Sequence, residues 1–154
     1  MFHLVLFEPE IPPNTGNIIR LAANTGCFLH LIEPLGFSMN EKALRRAGLD
    51  YHEWASVAIH PNFQACLDVL QTERVWLMTT KAQSSFYDVT YQPGDVFVFG
   101  PETRGLPVEV LAAWPKQHWR KLPMRPPGRS LNLSNAVAIV AYEAWRQINF
   151  ASSD

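Results

Sequence analysis

The apolar residues of this chain follow two alternating patterns, short continuous runs and stretches with helical spacing. The continuous runs predict six buried strands, at residues 3–7, 28–32, 56–59, 75–79, 95–99 and about 119–122. The helical spacing, with its caps and breakers, predicts helices at residues 18–25, 41–47, 61–70, 108–113 and about 133–148. Strands that alternate with helices predict an α/β fold, with a mostly parallel sheet flanked by helices.

Composition predicts one globular domain, residues 1–154, with 47% hydrophobic residues to supply a core. The chain contains no apolar run of membrane-spanning length, and its first residues resemble a strand rather than a signal peptide. Cys27 and Cys66 match no metal-binding spacing and are predicted to be buried free thiols in a reducing cytoplasm. The five histidines do not cluster with carboxylates or cysteines in the sequence, and no catalytic triad is evident. We therefore expect no metal site.

The charge distribution is uneven although the net charge is only −1. Residues 1–103 contain 6 Lys or Arg against 11 Asp or Glu, whereas residues 104–154 contain 7 against 3. No acid lies between Glu109 and Glu143, a stretch that contains five basic residues: Lys116, Arg120, Lys121, Arg125 and Arg129. A local basic face indicates a phosphate-bearing partner. A solvated face whose acids lie elsewhere in space explains the pattern equally well.

The loops after the predicted strands hold the polar residues that could form a site, because ligands of parallel sheets bind beyond the carboxyl ends of the strands. These loops are residues 14–17, 79–81, 100–106 and 123–130. Gly100 follows a buried strand, where the backbone either turns or approaches a ligand closely. Glu102 and Arg104 would lie at the rim of the sheet, although a plain turn with an exposed ion pair is an equal alternative. The chain has neither a dinucleotide-binding G-x-G-x-x-G after its first strand nor a P-loop.

Two helix starts carry further candidate residues. Ser130, Asn132, Ser134 and Asn135 precede the final helix, and a helix start rich in hydrogen-bonding groups binds anions or ligands. A capped core helix is the alternative, and its small residues would permit close approach by another helix or subunit. Arg20 lies on an apolar helix, so it either pairs with a structural carboxylate or binds a phosphate.

Three stretches together resemble the motifs of the SPOUT RNA methyltransferases. They are N-x-G-N-x-x-R at 14–20, F-G-P-E-T-R-G-L at 99–106 and S-L-N-L-S-N-A-V-x-x-V-x-Y-E at 130–143. Each motif alone is weak, but all three occur in order and the resemblance covers nearly the whole chain. The chain is most similar to the short, single-domain tRNA (cytidine/uridine) 2′-O-methyltransferases that modify the wobble nucleotide at position 34.

The resemblance implies a SPOUT α/β-knot fold with a C-terminal trefoil knot, and a homodimer with its site at the subunit interface. It also implies that S-adenosylmethionine binds mainly to backbone groups of three loops. The corresponding residues are Met78, Thr79, Gly100, Glu102, Leu122, Met124, Ser130, Leu131 and Asn132. In the family the arginine matching Arg20 is proposed to assist deprotonation of the ribose hydroxyl. Because a guanidinium is a poor base, we expect it to hold a phosphate or stabilise the alkoxide.

Asn17, Asn132 and Tyr142 are further catalytic candidates near the substrate ribose. The tRNA anticodon loop would contact the basic residues between positions 116 and 129, together with Arg45 and Arg46. Two alternatives stay open. One is 2′-O-methylation of another tRNA or rRNA position, and the other is a non-catalytic RNA-binding module.

Overall fold

A six-stranded, wholly parallel sheet forms the centre of the computed structural model, which describes residues 1–154. The strands are β1 His3–Phe7, β2 Phe28–Ile32, β3 Ala58–His60, β4 Val75–Met78, β5 Val96–Phe99 and β6 Trp119–Arg120. Their order across the sheet is β3-β2-β1-β5-β4-β6. The predicted α/β class is confirmed.

Six α-helices connect the strands and flank the sheet. They are α1 Pro12–Thr25, α2 Glu41–Arg46, α3 Tyr51–Trp54, α4 Phe63–Leu70, α5 Val108–Ala112 and α6 Leu133–Gln147. Short 3₁₀ turns at Phe86–Asp88 and Lys116–His118 complete the structure. None of the helices has the length and apolar character needed to cross a lipid bilayer.

Alternating side chains of the central strands fill a core on each face of the sheet. Leu4 and Leu6 of β1 belong to the core that includes the buried faces of α1 and α6. Val5 and Phe7 of the same strand belong to the opposite core, which contains residues of α4 and α5. Full burial of one large apolar side chain contributes about 1.5–3 kcal/mol, so the two cores fix the strand ends that carry the polar loops.

Helix α1 begins at Pro12, six residues before the predicted start at residue 18. The prediction treated the two prolines and the following polar residues as a loop. Pro12 and Pro13 instead occupy the first two helical positions, where the missing backbone N–H is not needed for an intrahelical hydrogen bond. The stretch from Asn14 to Asn17, predicted as a loop, is therefore helical.

Helix α3 is absent from the sequence-based prediction. The Asp50 carboxylate accepts a hydrogen bond from the Glu53 backbone, and the Glu53 carboxylate accepts one from the Asp50 backbone. This capping box is a recognised sequence signal for a helix start, which the apolar pattern alone did not reveal. Strand β3 lies one to two residues later than the prediction of 56–59, and α4 starts after the cap at Asn62 rather than at residue 61.

The small residues of α6 pack within the chain. Ala141 and Ala144 are fully buried in the core cluster that includes α1, so their size serves the close approach of these two helices. They are not free to form the subunit contact that the sequence suggested. Ile139 and Tyr142, which are 38% and 45% exposed, remain on the outer face of the helix. The two cysteines are free and buried, as predicted.

Candidate functional site

A cavity of about 300 Å³ lies at the carboxyl ends of β4 and β5. Three chain segments form its walls: residues 78–81 after β4, residues 99–106 after β5, and residues 121–136 between β6 and the first turn of α6. Ligands of parallel sheets bind at this edge, and the volume is at the lower end of the range of small-molecule sites. The cavity is therefore the candidate ligand site.

The structure brings eight of the nine predicted cofactor-binding residues into the wall of this cavity. The eight are Met78, Thr79, Gly100, Glu102, Leu122, Met124, Ser130 and Leu131. The ninth, Asn132, does not line the cavity and is hydrogen-bonded elsewhere. The predicted cofactor-binding set did not include Phe99, Leu106 or Ala136, although all three lie within the second and third motifs.

Gly100 is required by the chain itself. A Cβ atom at this position would lie 2.2 Å from the Leu106 backbone nitrogen and 2.3 Å from the Gly105 carbonyl carbon. The loop after β5 therefore crosses back directly over Gly100. Of the two predicted reasons for a glycine here, the close approach is therefore to the chain's own backbone.

Glu102 holds the entry to α1. Its two carboxylate oxygens accept hydrogen bonds from the backbone amides of Glu10 and Ile11 at 2.8 and 2.7 Å. The Asn14 side-chain amide donates a third hydrogen bond at 3.3 Å. Helix α1 has no side-chain cap of its own, and a negative charge near its start is favourable to the helix dipole. A residue predicted to bind cofactor thus also fixes a neighbouring loop.

Asn132 links the third motif to the first. Its side-chain nitrogen donates to the Asn14 side-chain oxygen at 3.0 Å, and Asn14 is 93% buried. Its side-chain oxygen accepts hydrogen bonds from the Ser134 hydroxyl at 2.6 Å and the Asn135 backbone at 3.2 Å. Asn132 is thereby the N-cap of α6. The three motifs form one hydrogen-bonded network, in which Asn14 connects Glu102 with Asn132.

A second set of contacts joins the loops after β1 and β5. The Glu10 carboxylate accepts hydrogen bonds from the Thr103 backbone and hydroxyl at 2.9 and 2.8 Å, which lower the pKa of that carboxyl. Arg104 lies 3.4 Å from Glu8 and 3.6 Å from Glu10. The predicted rim position of Arg104 is correct, and its acidic neighbours belong to the first loop rather than to its own.

Arg20 is paired with a carboxylate of this chain. Its Nε lies 2.7 Å from Glu53, a second guanidinium nitrogen contacts the same carboxylate at 3.3 Å, and the Gly48 carbonyl accepts a further hydrogen bond. The side chain is 52% exposed, and the structure shows the first of the two predicted alternatives, pairing with a carboxylate of the chain. The hydrogen bond from Arg20 lowers the pKa of Glu53, and Glu53 in turn raises the pKa of Arg20. These contacts hold the guanidinium in its charged form.

The other two catalytic candidates are exposed and lie outside the cavity wall. Asn17 is on the solvent side of α1, one helical turn before Arg20. Tyr142 is on the outer face of α6, with its ring edge-on to Trp145 at 5.7 Å between centroids. Within one chain neither residue contacts the network formed by Glu102, Asn14 and Asn132.

The predicted RNA-binding residues divide into engaged and free side chains. Arg45 pairs with Glu41 at 2.7 Å, and Arg120 donates to the Ser85 and Gln117 carbonyls. The others form no salt bridge within the chain: Arg46, Lys116, Lys121, Arg125 and Arg129. Free side chains of this kind fit both predicted interpretations of the basic stretch, a phosphate-binding face and a solvated face. Lys121 also lines the cavity.

The histidines are arranged differently from the prediction. His30, His60 and Cys66 form a buried group whose potential ligand atoms all lie within 4.8 Å of one another. The expectation that no histidine clusters with a cysteine is wrong, because parallel pairing of β2 with β3 brings together residues that are thirty positions apart.

The fold and the cavity together define an α/β domain of the SPOUT methyltransferase class. An AdoMet-bound rRNA methyltransferase from Sinorhizobium meliloti shares the fold, with a TM-score of 0.80 at 24% identity over 96% of this chain and 56% of that chain. The chain belongs to the SpoU rRNA Methylase family, whose model matches residues 1–142. This finding confirms the resemblance deduced from the three motifs.

Relatives of similar length are considerably more alike. The tRNA (cytidine(34)-2′-O)-methyltransferase of Methylovorus glucosotrophus is 56% identical over 153 residues, with 99% of each chain covered. The enzyme of the same name from Escherichia coli strain K12 is 55% identical over 150 residues, covering 97% of this chain and 96% of that one. A solved structure from work on 2-OH methylation of C/U34 on tRNA has a TM-score of 0.87 at 48% identity, with 97% of both chains covered.

Proposed function

We propose that this protein transfers a methyl group from S-adenosylmethionine to the ribose 2′-hydroxyl of the wobble nucleotide, cytidine or uridine at position 34, in a tRNA anticodon loop. The observation that carries the proposal is the convergence of all three motif loops on one cavity, joined through Asn14. The names and full-length coverage of the curated relatives support the substrate. Such a substrate places the protein in the cytoplasm.

The residues around the cavity fit S-adenosylmethionine. Its wall combines apolar side chains, among them Met78, Leu122 and Leu131, with strand ends that expose backbone groups. The backbone amides of Leu122 and Leu131 donate no hydrogen bond to another backbone group, so they are available to a ligand. When bound, S-adenosylmethionine supplies a methyl group on a positively charged sulfur. The chain supplies alignment, which contributes about 7–11 kcal/mol in well-oriented reactions.

Arg20 is suited to position the acceptor. Glu53 and Gly48 fix its guanidinium in one orientation, and the half-exposed side chain keeps further N–H donors for a phosphate or ribose oxygen. Its raised pKa excludes the role of proton acceptor, since the group stays charged. Arg20 therefore holds a phosphate or stabilises a developing alkoxide. Asn17, one turn away, is placed to contact the same nucleotide.

Free basic side chains beside the cavity are suited to bind the anticodon stem and loop. Lys121 is in the cavity wall, and Arg125 and Arg129 are exposed on the loop that follows it. None of the three is neutralised by an acid of the chain, so each can displace a counterion from an RNA phosphate. An ordered loop of this kind reads an unstacked nucleotide by its edge and its 2′-hydroxyl.

The proposal includes a homodimer formed through the outer face of α6. Ile139 and Tyr142 are three residues apart, so they share one helix face and expose apolar surface. Pairing of two copies would bury that face and give the RNA a surface from both subunits. In the proposed dimer Tyr142 approaches the partner's site rather than the site of its own chain.

The decisive experiment is mass-spectrometric mapping of tRNA 2′-O-methyl groups in cells with and without this protein. Loss of one methyl at position 34, restored by the wild-type gene, is the expected result. A methyl lost at another tRNA position or in rRNA would favour the alternative substrate. Calorimetry that measures S-adenosylmethionine binding tests the remaining alternative. A methyltransferase of either specificity would bind the cofactor, whereas a non-catalytic RNA-binding module would bind tRNA and not the cofactor.

Arg20 and Glu53 provide a matched test of the acceptor role. For Arg20→Ala we expect turnover on tRNA to fall roughly ten- to a hundredfold, the value of one charge-assisted contact, with unchanged S-adenosylmethionine affinity. Glu53→Gln breaks the same ion pair but keeps the guanidinium, so its turnover should fall much less. Both variants should melt at similar temperatures, because each removes the same ion pair, whose Arg20 side is 52% exposed. Equal loss of turnover in the two variants would assign Arg20 a structural role.

A further inference from the structure

Three histidines form a continuous hydrogen-bonded row across one edge of the sheet. His3 of β1 lies beside His30 of β2, with Nδ1 and Nε2 separated by 3.0 Å. His30 lies beside His60 of β3, again with Nδ1 and Nε2 separated by 3.0 Å. Cys66 of α4 has its sulfur within 4.8 Å of a ring nitrogen of His30 and of His60. The cavity lies at the ends of β4 and β5, on the opposite side of β1 from β2 and β3, and none of these four residues lines it.

We propose that His30, His60 and Cys66 form a binding site for one soft divalent transition-metal ion, with zinc as the expected occupant. Zinc binds imidazole and thiolate ligands, whereas magnesium and calcium bind oxygen ligands. Two imidazoles and one thiolate therefore favour zinc. The ion would connect β2, β3 and α4 and would serve as a structural clamp at the edge of the sheet. Water would complete its coordination at the side where β3 has no neighbouring strand.

The spacing of the donor atoms supports this site. Zinc–nitrogen bonds of about 2.0–2.1 Å and a zinc–sulfur bond of about 2.3 Å place tetrahedral ligand atoms about 3.3–3.6 Å apart. The two histidine nitrogens are already 3.0 Å apart, and all three donor atoms lie within 4.8 Å. Side-chain movements of well under an ångström for the histidines would complete the geometry.

The three proposed ligand side chains are buried, and burial affects their protonation. His30, His60 and Cys66 are 6%, 8% and 0% exposed. Burial, followed by the neighbouring His3 and His60, lowers the pKa of His30 to about 4, so its ring is neutral and keeps a lone pair. Burial raises the pKa of the Cys66 thiol to about 12, so metal binding must displace that proton. One proton is therefore released from sulfur for each ion bound.

His3 completes the arrangement as an outer partner. A metal on His30 Nδ1 requires the ring proton on Nε2, and that nitrogen lies 3.0 Å from His3 Nδ1, which can accept it. His60 would in turn carry its proton on Nδ1 and use Nε2 for the metal. Ligating histidines commonly donate their second N–H to such a partner, which fixes the tautomer and the ring orientation.

Cobalt(II) is the direct probe, since a cobalt–thiolate bond gives a charge-transfer band in the near ultraviolet. The chain is first treated with chelator under reducing conditions and then titrated with cobalt. One cobalt per chain with this band is the expected result, and zinc should then displace it. The band should be absent in Cys66→Ser and retained in the matched control Cys27→Ser, which changes a buried thiol outside the cluster. His3→Phe should weaken binding about 10–100-fold.

Thermal unfolding gives an independent readout. At a zinc concentration about a hundredfold above Kd, the wild type should melt roughly 5–10 °C higher, and S-adenosylmethionine affinity should not change. If Cys66→Ser does not fold, His60→Gln provides the same comparison. Its zinc affinity should fall by more than that of His3→Phe, because His60 binds the ion directly and His3 does not. The proposal is overturned if cobalt gives no thiolate band in the wild type, or if the band persists in Cys66→Ser or His60→Gln. Either result would leave the histidines as a neutral hydrogen-bonded row.

Discussion

Replacement of Glu102 by alanine should destabilise the protein by about 2 kcal/mol. The substitution removes the acceptor of two backbone amides and of the Asn14 side chain. Hydrogen bonds to a charged group contribute about 1.5–3 kcal/mol each, but the Ile11 amide is exposed and regains water. The loss should therefore be near the upper end of the ~0.5–2 kcal/mol that removal of a helix cap costs, rather than the sum of three bonds.

Thermal unfolding followed by circular dichroism measures this effect. For a domain of this size, about 2 kcal/mol corresponds to a Tm decrease of roughly 4–8 °C. Glu102→Gln keeps one acceptor oxygen and should lose about half as much. Glu109→Ala, which removes an exposed acid from the first turn of α5, controls for charge and should change stability by less than ~0.5 kcal/mol.

Cofactor binding provides the second part of the test. Because Glu102 lines the cavity, release of the α1 entry should also weaken S-adenosylmethionine binding in calorimetry. A Glu102→Ala protein that melts within about 1 °C of the wild type would refute the assigned role in holding α1. Weaker cofactor binding without any change in Tm would instead show that Glu102 acts only on the ligand.

Three further substitutions test other parts of the structure. Gly100→Ala places a Cβ 2.2 Å from the Leu106 nitrogen, so unfolding should show a loss of about 1–3 kcal/mol together with weaker cofactor binding. Asp95→Ala leaves the Arg74 guanidinium without its acceptor, and denaturant titration should show a decrease of about 2–3 kcal/mol in the free energy of unfolding. This decrease is smaller than for a fully buried pair because Arg74 is 39% exposed. Burial raises the pKa of Tyr91 above its usual 10.0, so the unfolded chain loses this proton at a lower pH than the folded chain. The free energy of unfolding should therefore fall as pH rises above 10.0, by up to ~1.4 kcal/mol per pH unit. Tyr91→Phe should reduce that slope in melts recorded between neutral and alkaline pH.

The strands could be predicted from the sequence because each is buried on both faces and forms an unbroken apolar run. The start of α1 could not, since E-P-E-I-P-P-N has the composition of a turn. The Glu102 carboxylate, 92 residues away from Glu10, accepts hydrogen bonds from the Glu10 and Ile11 amides and thereby fixes the entry to this helix. Local pattern contains no information about a contact of that separation. The capping box at Asp50 and Glu53, by contrast, was visible in the sequence.

The candidate site was predictable as a set of loops and not as a network. Strand ends and glycines pointed to the edge of the sheet where the cavity lies, and eight of the nine residues predicted to bind the cofactor line it. The connection of Asn14 to both Glu102 and Asn132 depends on how α1 and α6 pack, which no single segment determines. The same reason applies to His30 and His60, which only the pairing of β2 with β3 brings together. The trefoil knot implied by the resemblance stays a prediction.

The long separation of the contacting segments has a consequence for biosynthesis. Asn14 and Asn132 are 118 residues apart, and β1 needs β5 as its second neighbour in the sheet. At ~5–20 residues per second, about 6–24 s pass on the ribosome between the synthesis of these two asparagines. During that time β1 has an unpaired edge and an apolar face, the features that promote aggregation of nascent chains. The N-terminal segment is therefore the part of the chain that is open to wrong pairing for longest before its native neighbours are synthesised.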